Sequence, residues 1–417
     1  MNPDVVVIGA GTAGMTAALR LSGSGATVLV LAEGEGAIPL APAQVDLLGY
    51  TPSLVSEPLR ELAPFLQERP GHPYRLVTPD EIEAALGWFA DLAAPLGYVG
   101  SAQRNRLQPT ALGALRPTCL VPETMASGDL SEGGDVLVVG LRGFRDFHAQ
   151  LVAENLGQAQ LASGASVGAR AVEVSLVGDP RDLRPQLLVR RLEQRAVLAQ
   201  LAREIRTELG QETLIALPAV LGMERSHEVW QRLQELLGRP VFEIPTPPPS
   251  QPGQRLQQVL FRALRRQGGE VRLGAKATGF RGTGGRVESI TVQLASREVQ
   301  VPAGEFILAT GGLGTGGVTV DPDGGLHEPV FDLPVTTAGA PEQPSAEYFA
   351  TQPLDKLGVS VDSEMRPLGT GGEPLFTNLR AAGAVLGGAE PWREKSGEGI
   401  SLATGFRAAA VITGGGA

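Results

Sequence analysis

Val5-Val6-Val7-Ile8 is an unbroken apolar, β-branched run. A strand buried on both faces of a parallel sheet reads this way, because neither face can carry polar groups. Past glycines 9, 11 and 14 the spacing turns helical, and Thr27-Val28-Leu29-Val30-Leu31-Ala32-Glu33 forms a second apolar run. The pattern predicts strand, tight turn, helix and strand, ending near Gly36. Helical spacing returns in Pro58–Leu66 and Pro79–Leu96. The second of these opens Thr78-Pro79-Asp80-Glu81, a cap, a proline and two acids, which is a helix-start signal.

Leu115–Met125 is bounded by prolines and reads as extended, and Asp135–Gly140 reads as another buried strand. Leu141-Arg142-Gly143-Phe144-Arg145-Asp146-Phe147-His148 then opens a helical pattern reaching Leu156. Leu183–Leu209 predicts one long charged helix or two, Thr213–Leu217 a strand, and Gly222–His227 the approach to a further helix. Pro240–Pro252 carries six prolines and reads as a stiff crossover between domains, since the pattern changes after it. Leu256, Val259, Leu260 and Leu264 fall at helical spacing, with Arg255, Arg262, Arg265 and Arg266 on the more polar faces. Gly268-Gly269 stops that helix, and Val271–Leu273 reads as a strand. Ile290, Val292, Leu294, Val299 and Val301 alternate as in a β-meander, and Glu305–Leu308 is a buried run ending Ala309-Thr310-Gly311-Gly312.

The first turn carries chemistry. Gly9 permits a sharp bend, Gly11 lets a phosphate approach the backbone, and Gly14 lets helix and strand pack closely. The helix start aims free N–H groups and a positive dipole end at an anion. This spacing points to a dinucleotide or flavin, although an empty glycine-rich turn would carry the same residues. Ala37–Gly49 reads as a loop running over that ligand. The acid that holds an adenosine ribose normally ends the second strand. Here Ala32 stands at that place and the acid is Glu33, one residue later. Side chains alternate along a strand, so either the strand ends early and Glu33 still reaches, or there is no adenosine ribose. The second case favours FMN over FAD.

Two later stretches resemble two-dinucleotide-binding flavoproteins. Glu305–Gly311 is similar to their returning strand, whose Ala-Thr-Gly end passes the cofactor, and marks Thr310 and Gly311. Asn378-Leu379-Arg380-Ala381-Ala382-Gly383-Ala384 is similar to their last strand, with Ala384 where an acid would meet the ribityl chain. Ser396-Gly397-Glu398-Gly399-Ile400 opens a terminal helix through Ala410, and a helix start aimed at the flavin pyrimidine would stabilise the anionic reduced form. The candidate cofactor residues are therefore Gly9, Gly11, Gly14, Glu33, Thr310, Gly311, Gly383, Ala384, Gly397, Gly399 and Ile400.

Composition narrows the field. At 417 residues two domains are expected. The net charge of -10 argues against nucleic acid and gives no attraction to anionic lipid. Cys119 is the single cysteine, which excludes an internal disulfide and a cysteine-held iron–sulfur cluster in this chain. No cysteine or histidine adjoins it, so it reads as a buried structural thiol. No signal peptide and no apolar run long enough to span a membrane are found, and no metal site is expected. The expectation is a cytoplasmic protein that meets a membrane only through a partner.

The fold expected is α/β: a Rossmann-like FAD/NAD(P)-binding domain, discontinuous in sequence, with an inserted α+β cap. The flavin domain would comprise residues 1–50, 253–312 and 373–417, and the cap residues 51–252 and 313–372. Three less generic stretches then resemble one family. They are Gly113-Ala114-Leu115-Arg116-Pro117-Thr118 with Leu120-Val121-Pro122-Glu123; Ile244-Pro245-Thr246-Pro247-Pro248-Pro249 before Arg255-Leu256-Gln257; and Asn378-Leu379 through Gly383-Ala384-Val385-Leu386-Gly387-Gly388. Over nearly the full length the chain resembles the B subunit of anaerobic glycerol-3-phosphate dehydrogenase. The resemblance implies FMN as cofactor, with FAD the alternative. It implies oxidation of sn-glycerol 3-phosphate to dihydroxyacetone phosphate with electrons passing to a quinone pool. It also implies two partners, a flavin-bearing A subunit and a membrane-associated iron–sulfur C subunit.

Alcohol oxidation needs a base near the hydroxyl, and a phosphate monoester favours arginine. Among His72, His148, His227 and His327, His148 lies near Arg142 and Arg145, and His227 near Arg225. Arg116 sits in a proline-fixed, family-like stretch. His148, His227 and Arg116 are the candidate catalytic residues, set against the alternative that they are solvated helix-surface groups. Two further function classes stay open: a self-sufficient flavoenzyme of the fumarate reductase or amino-acid oxidase kind, and a flavin-free scaffold.

Overall fold

Val5–Ile8 and Val28–Ala32 pair in parallel, Val5 against Val28 and Ile8 against Leu31, and every residue of both strands is buried. The computed structural model describes residues 3–176, 183–337, 339–341, 343–347 and 349–414; the outermost residues of the expected 1–50 and 373–417 segments lie outside that range. The two strands are the centre of a five-stranded sheet. Its order is Glu270–Leu273, Val28–Ala32, Val5–Ile8, Glu305–Leu308, Leu379–Ala381, parallel throughout. The apolar runs follow from this: helices and loops cover both faces, so a polar side chain would be buried unpaired.

The helix Thr12–Gly23 leaves the glycine turn, and the terminal helix Gly397–Thr413 packs across it. At Gly405 a Cβ would stand 2.4 Å from the Ala13 carbonyl oxygen, so only glycine allows this approach. Asn378 anchors the last strand to the three-stranded antiparallel meander Lys276–Thr283, Arg286–Gln293, Glu298–Pro302. Its Nδ2 donates to the Val287 and Gly304 carbonyls, and its Oδ1 accepts from Val287 N–H. The helix Pro79–Leu92 opens with the expected capping box, Thr78 and Glu81 each satisfying the other's backbone N–H, and Glu81 also pairs with Arg407 of the terminal helix.

Between these segments a second sheet forms. In space its order is Val241–Ile244, Leu214–Pro218, Gly134–Leu141, Val167–Val174, again all parallel. The α+β expectation for the insert fits its small antiparallel ladders, Tyr98–Gly100 with Leu120–Pro122 and Arg106–Pro109 with Leu115–Thr118. Its main sheet is instead a doubly wound parallel one, with crossover helices including Ala149–Gly157, Arg195–Glu208 and Ser226–Leu237. Two local expectations shift. Residues 142–148 are a turn rather than the first turns of a helix, which begins at Ala149. Pro240–Pro252 is not all linker: Val241–Ile244 is an edge strand, where flanking prolines cost no ladder bonds, and the helix Gln251–Arg266 already starts at Gln251, capped by Ser250.

Two hydrophobic cores result. The first combines residues 5–120 with 256–409; the second runs from Leu130 to Ile244. A buried ion pair joins them. Arg255 donates to both carboxylate oxygens of Glu243 (2.6 and 3.0 Å) and through Nε to the Gly222 carbonyl (2.8 Å), while Leu221 N–H also binds Glu243 (2.8 Å).

Candidate functional site

The glycine turn has the geometry its spacing requires. Gly9 adopts φ +114°, and a Cβ there would stand 2.1 Å from the Ala309 carbonyl oxygen, so the turn is pressed against the end of Glu305–Leu308. A Cβ at Gly14 would stand 2.1 Å from the Gly9 carbonyl oxygen. At Gly11 nothing lies within 4 Å of a Cβ position. This leaves open space at the start of Thr12–Gly23, the kind of helix start whose backbone N–H groups can receive an anion. Gly36, at φ +74°, folds back over it, its Cβ position 3.0 Å from Gly11 N.

Glu33 is exposed and pairs with Lys276 (3.2 Å), the first residue of the antiparallel meander. Thr310 Oγ1 is buried without a hydrogen-bond partner, an orphan donor-acceptor beside the turn that a flavin could satisfy. Gly311, at φ +84°, packs under Thr315, and Gly383, at φ +81°, packs against the Ala13 side chain. Ala384 is exposed. At the terminal helix, Gly399 N–H donates to the Asp46 carbonyl (3.0 Å) and Ile400 N–H to Ser396 (2.9 Å), so both are committed within the chain. Gly399 has no room for a side chain: its Cβ would stand 2.3 Å from Tyr74 Oη.

The densest charge in this region gathers at the start of that helix. Arg116 binds Asp46 Oδ2 through Nε (2.7 Å) and Nη2, and approaches Glu398 at 3.8 Å. Burial lifts the Asp46 carboxyl above the usual range and Arg116 draws it back. Glu398 is pushed up to about 7, chiefly by burial and then by Asp46, with Arg116 and Lys395 opposing. Burial also depresses the Lys395 ammonium, with Arg116 adding to the effect, and raises the Tyr50 phenol, with Asp46 adding. Lys395 sits at φ 50°, a left-handed geometry unusual for a residue with a Cβ.

A buried network holds this corner. Tyr74 N–H donates to His72 Nδ1 (3.1 Å), so His72 presents its Nε2 proton to Glu394 (3.1 Å). Ser396 Oγ donates to the same carboxylate (2.8 Å), and Glu390 N–H to its other oxygen (3.1 Å). Burial alone would raise Glu394; these hydrogen bonds reverse it and hold the carboxyl low. Gly49 and Tyr50 N–H groups both donate to the Glu394 carbonyl, which ties the loop bearing Asp46 to the turn bearing Lys395.

The other candidates lie elsewhere. His148 is exposed, just past the carboxyl end of Gly134–Leu141, and acts electrostatically on Glu173. His227 faces Glu123 (3.4 Å) and the Trp230 ring. His327 pairs with Asp321. Cys119 is buried, its Sγ donating to the Val45 carbonyl (3.1 Å) and its thiol pushed up by burial. Among the described residues no cluster could hold a metal ion, and no helix is long and apolar enough to cross a membrane.

The FAD binding domain family model matches residues 4–400. A protein of Halobacterium salinarum, named as the probable B subunit of anaerobic glycerol-3-phosphate dehydrogenase, is 35% identical over 98% of this chain and 97% of its own length. The B subunit of the same name from Pectobacterium carotovorum subsp. carotovorum is 32% identical over 99% of both chains. The chain belongs to the family of anaerobic glycerol-3-phosphate dehydrogenase B subunits. Among solved structures, 3-ketosteroid delta1-dehydrogenase from Sterolibacterium denitrificans overlays 99% of both chains with a TM-score of 0.47 and 12% identity.

In this B-subunit homologue, Arg116 stands inside the charged corner, whereas Asp46, Tyr50, Lys395 and Glu398 were not picked out by sequence. One signal was available. Asp46 is a lone acid within Val45-Asp46-Leu47-Leu48, and an acid in an apolar run is either misplaced or buried with a partner. The partner, Arg116, is 70 residues away.

Proposed function

We propose that this chain is the flavin-carrying B subunit of a quinone-linked glycerol-3-phosphate dehydrogenase complex, oxidising sn-glycerol 3-phosphate to dihydroxyacetone phosphate. What carries the reading is near full-length kinship with B-subunit proteins combined with an intact glycine cradle, open at Gly11 and closed at Gly9 and Gly14. The flavin is FMN in this proposal. Glu33, the acid one residue past the usual ribose position, is exposed and engaged with Lys276. A bound flavin supplies a two-electron acceptor.

The chain's own residues do the rest. Gly11 and the start of Thr12–Gly23 would hold the cofactor phosphate, and Thr310 and Gly311 would line its path. Arg116, fixed by Asp46, is the cation proposed to orient the substrate phosphate; His148 and His227, facing Glu173 and Glu123, are given no step. Electrons leave through a flavin-bearing A subunit and an iron–sulfur C subunit, with membrane contact through these partners and the chain itself on the cytoplasmic side.

Purifying the chain, recording its visible spectrum and identifying the acid-released chromophore tests this. FMN is the expected result. FAD would mean that Glu33 reaches a ribose and would favour a self-sufficient flavoenzyme. A chain that stays colourless with added flavin would leave a scaffold role in its place.

A further inference from the structure

The corner around Arg116 holds more chemistry than an arginine for phosphate needs. The Asp46 side chain is 1% exposed, yet its Oδ1 has no hydrogen-bond partner among the described residues. Arg116 spends two of its N–H groups on Asp46, out of the five a guanidinium carries. The side chains of Arg116 and Glu398 remain about a quarter exposed, at 24% and 28%, and Lys395 is half-buried beside them. The rim is thus two cations and a carboxylate, above a buried acceptor whose neighbouring donor among the described residues, the Thr118 hydroxyl, is given to the Val45 carbonyl. A bare anion would meet the cations but face Glu398. A bare polyol would leave the cations unused. A ligand with an anionic head and neighbouring hydroxyls satisfies both halves.

We infer that Arg116, Lys395, Glu398 and Asp46 form a binding site for a phosphorylated polyol, the cations taking the phosphate and Glu398 the hydroxyls. Asp46 fixes Arg116 and offers its second oxygen to a hydroxyl or to a water behind it. This deepens the function proposed above and rests on it for the ligand class. Glu398 faces Asp46 on the loop, Arg116 on the strand Leu115–Thr118, Tyr74 below and Lys395 on its own turn; Tyr50 faces Asp46 and Arg116. Protonated, it tolerates a phosphate nearby; ionised, it repels one. The phosphate takes its second charge near about pH 6, which favours the cations as pH rises; ionisation of Glu398 over the neutral range opposes that gain.

The test is calorimetric titration of the full chain with glycerol 3-phosphate, inorganic phosphate and glycerol at about pH 6 and about pH 8, with flavin content read from the same samples. Glycerol 3-phosphate should bind at least about tenfold more tightly than either fragment. Lys395→Gln should weaken it about tenfold or more with flavin retained, and E398Q should gain more affinity between about pH 6 and about pH 8 than the wild type does. Both side chains lie on the rim, so circular dichroism should show an unchanged fold. Equal affinity for phosphate and glycerol 3-phosphate, or undiminished binding by Lys395→Gln, overturns the inference. Flavin released by glycerol 3-phosphate would assign the corner to the cofactor's own phosphate and overturn it too. A flavin-bearing chain that binds no glycerol 3-phosphate sinks this inference alone; a colourless chain that binds it sinks only the flavin proposal.

Discussion

Gly11 and Gly14 sit three residues apart, yet substitution should separate two roles. Alanine at Gly14 would drive a methyl into the Gly9 carbonyl, and overpacking of this kind costs about 1–3 kcal/mol. Alanine at Gly11 meets nothing, so unfolding in urea should change by less than about 1 kcal/mol, while flavin affinity drops tenfold or more, about 1.4 kcal/mol. Equal loss of stability in both variants would remove the argument that Gly11 faces a ligand. Glu398 gives a second residue-scale prediction. Its folded-state value of about 7 lies above an unfolded value of about 4.3, so the folded state binds the proton more tightly. Its contribution is fully present below the unfolded value and is lost as pH rises through the folded one. Glu398→Gln should therefore melt like the wild type near about pH 4 and be about 1–3 kcal/mol more stable near about pH 8. The glycine turn was readable because its geometry is local: one residue type, one spacing, one backbone bend. The Asp46–Arg116–Glu398 corner was not, since loop, ladder and terminal helix meet only in the folded chain.

Among elements, legibility tracked burial pattern. Val5–Ile8, Glu305–Leu308 and Gly134–Leu141 contain continuous apolar runs and were visible as strands. Val167–Val174 exposes Gly168, Arg170 and Glu173, as an edge strand can, and gave no such run. Val241–Ile244 was hidden by its prolines and by Glu243, whose charge argued against a core position until Arg255 arrived from the following helix. That pair also sets the cost of error. Glu243→Ala or Arg255→Ala leaves an uncompensated buried charge and should cost about 3–5 kcal/mol in urea unfolding. The double variant Glu243→Leu with Arg255→Met should recover most of it, because well-packed apolar residues can replace a buried pair at little loss. A double variant as unstable as either single one would mean that the Gly222 and Leu221 backbone bonds, not the charge pair, hold strand and helix together.

At the scale of the molecule, the chain order hides two bodies inside one another. The first core needs both ends of the chain, since its sheet combines strands at residues 5–8, 28–32, 270–273, 305–308 and 379–381. The second is made from one continuous stretch, Leu130 to Ile244, and meets the first at a seam that includes Arg255 with Glu243 and Arg262 with Glu224. Cores of this kind unfold as separate cooperative units when few buried contacts couple them. Scanning calorimetry should resolve two transitions, and only the one belonging to the first core should move with flavin, because a ligand stabilises the unit that binds it. At one hundred times its dissociation constant the flavin adds about 2.7 kcal/mol, a rise of about 5 °C for a unit of this size. Arg255→Ala should draw the two transitions further apart by weakening the seam. A single transition that moves as a whole with flavin would refute the two-unit reading, and would mean that the seam transmits cofactor binding into the second core.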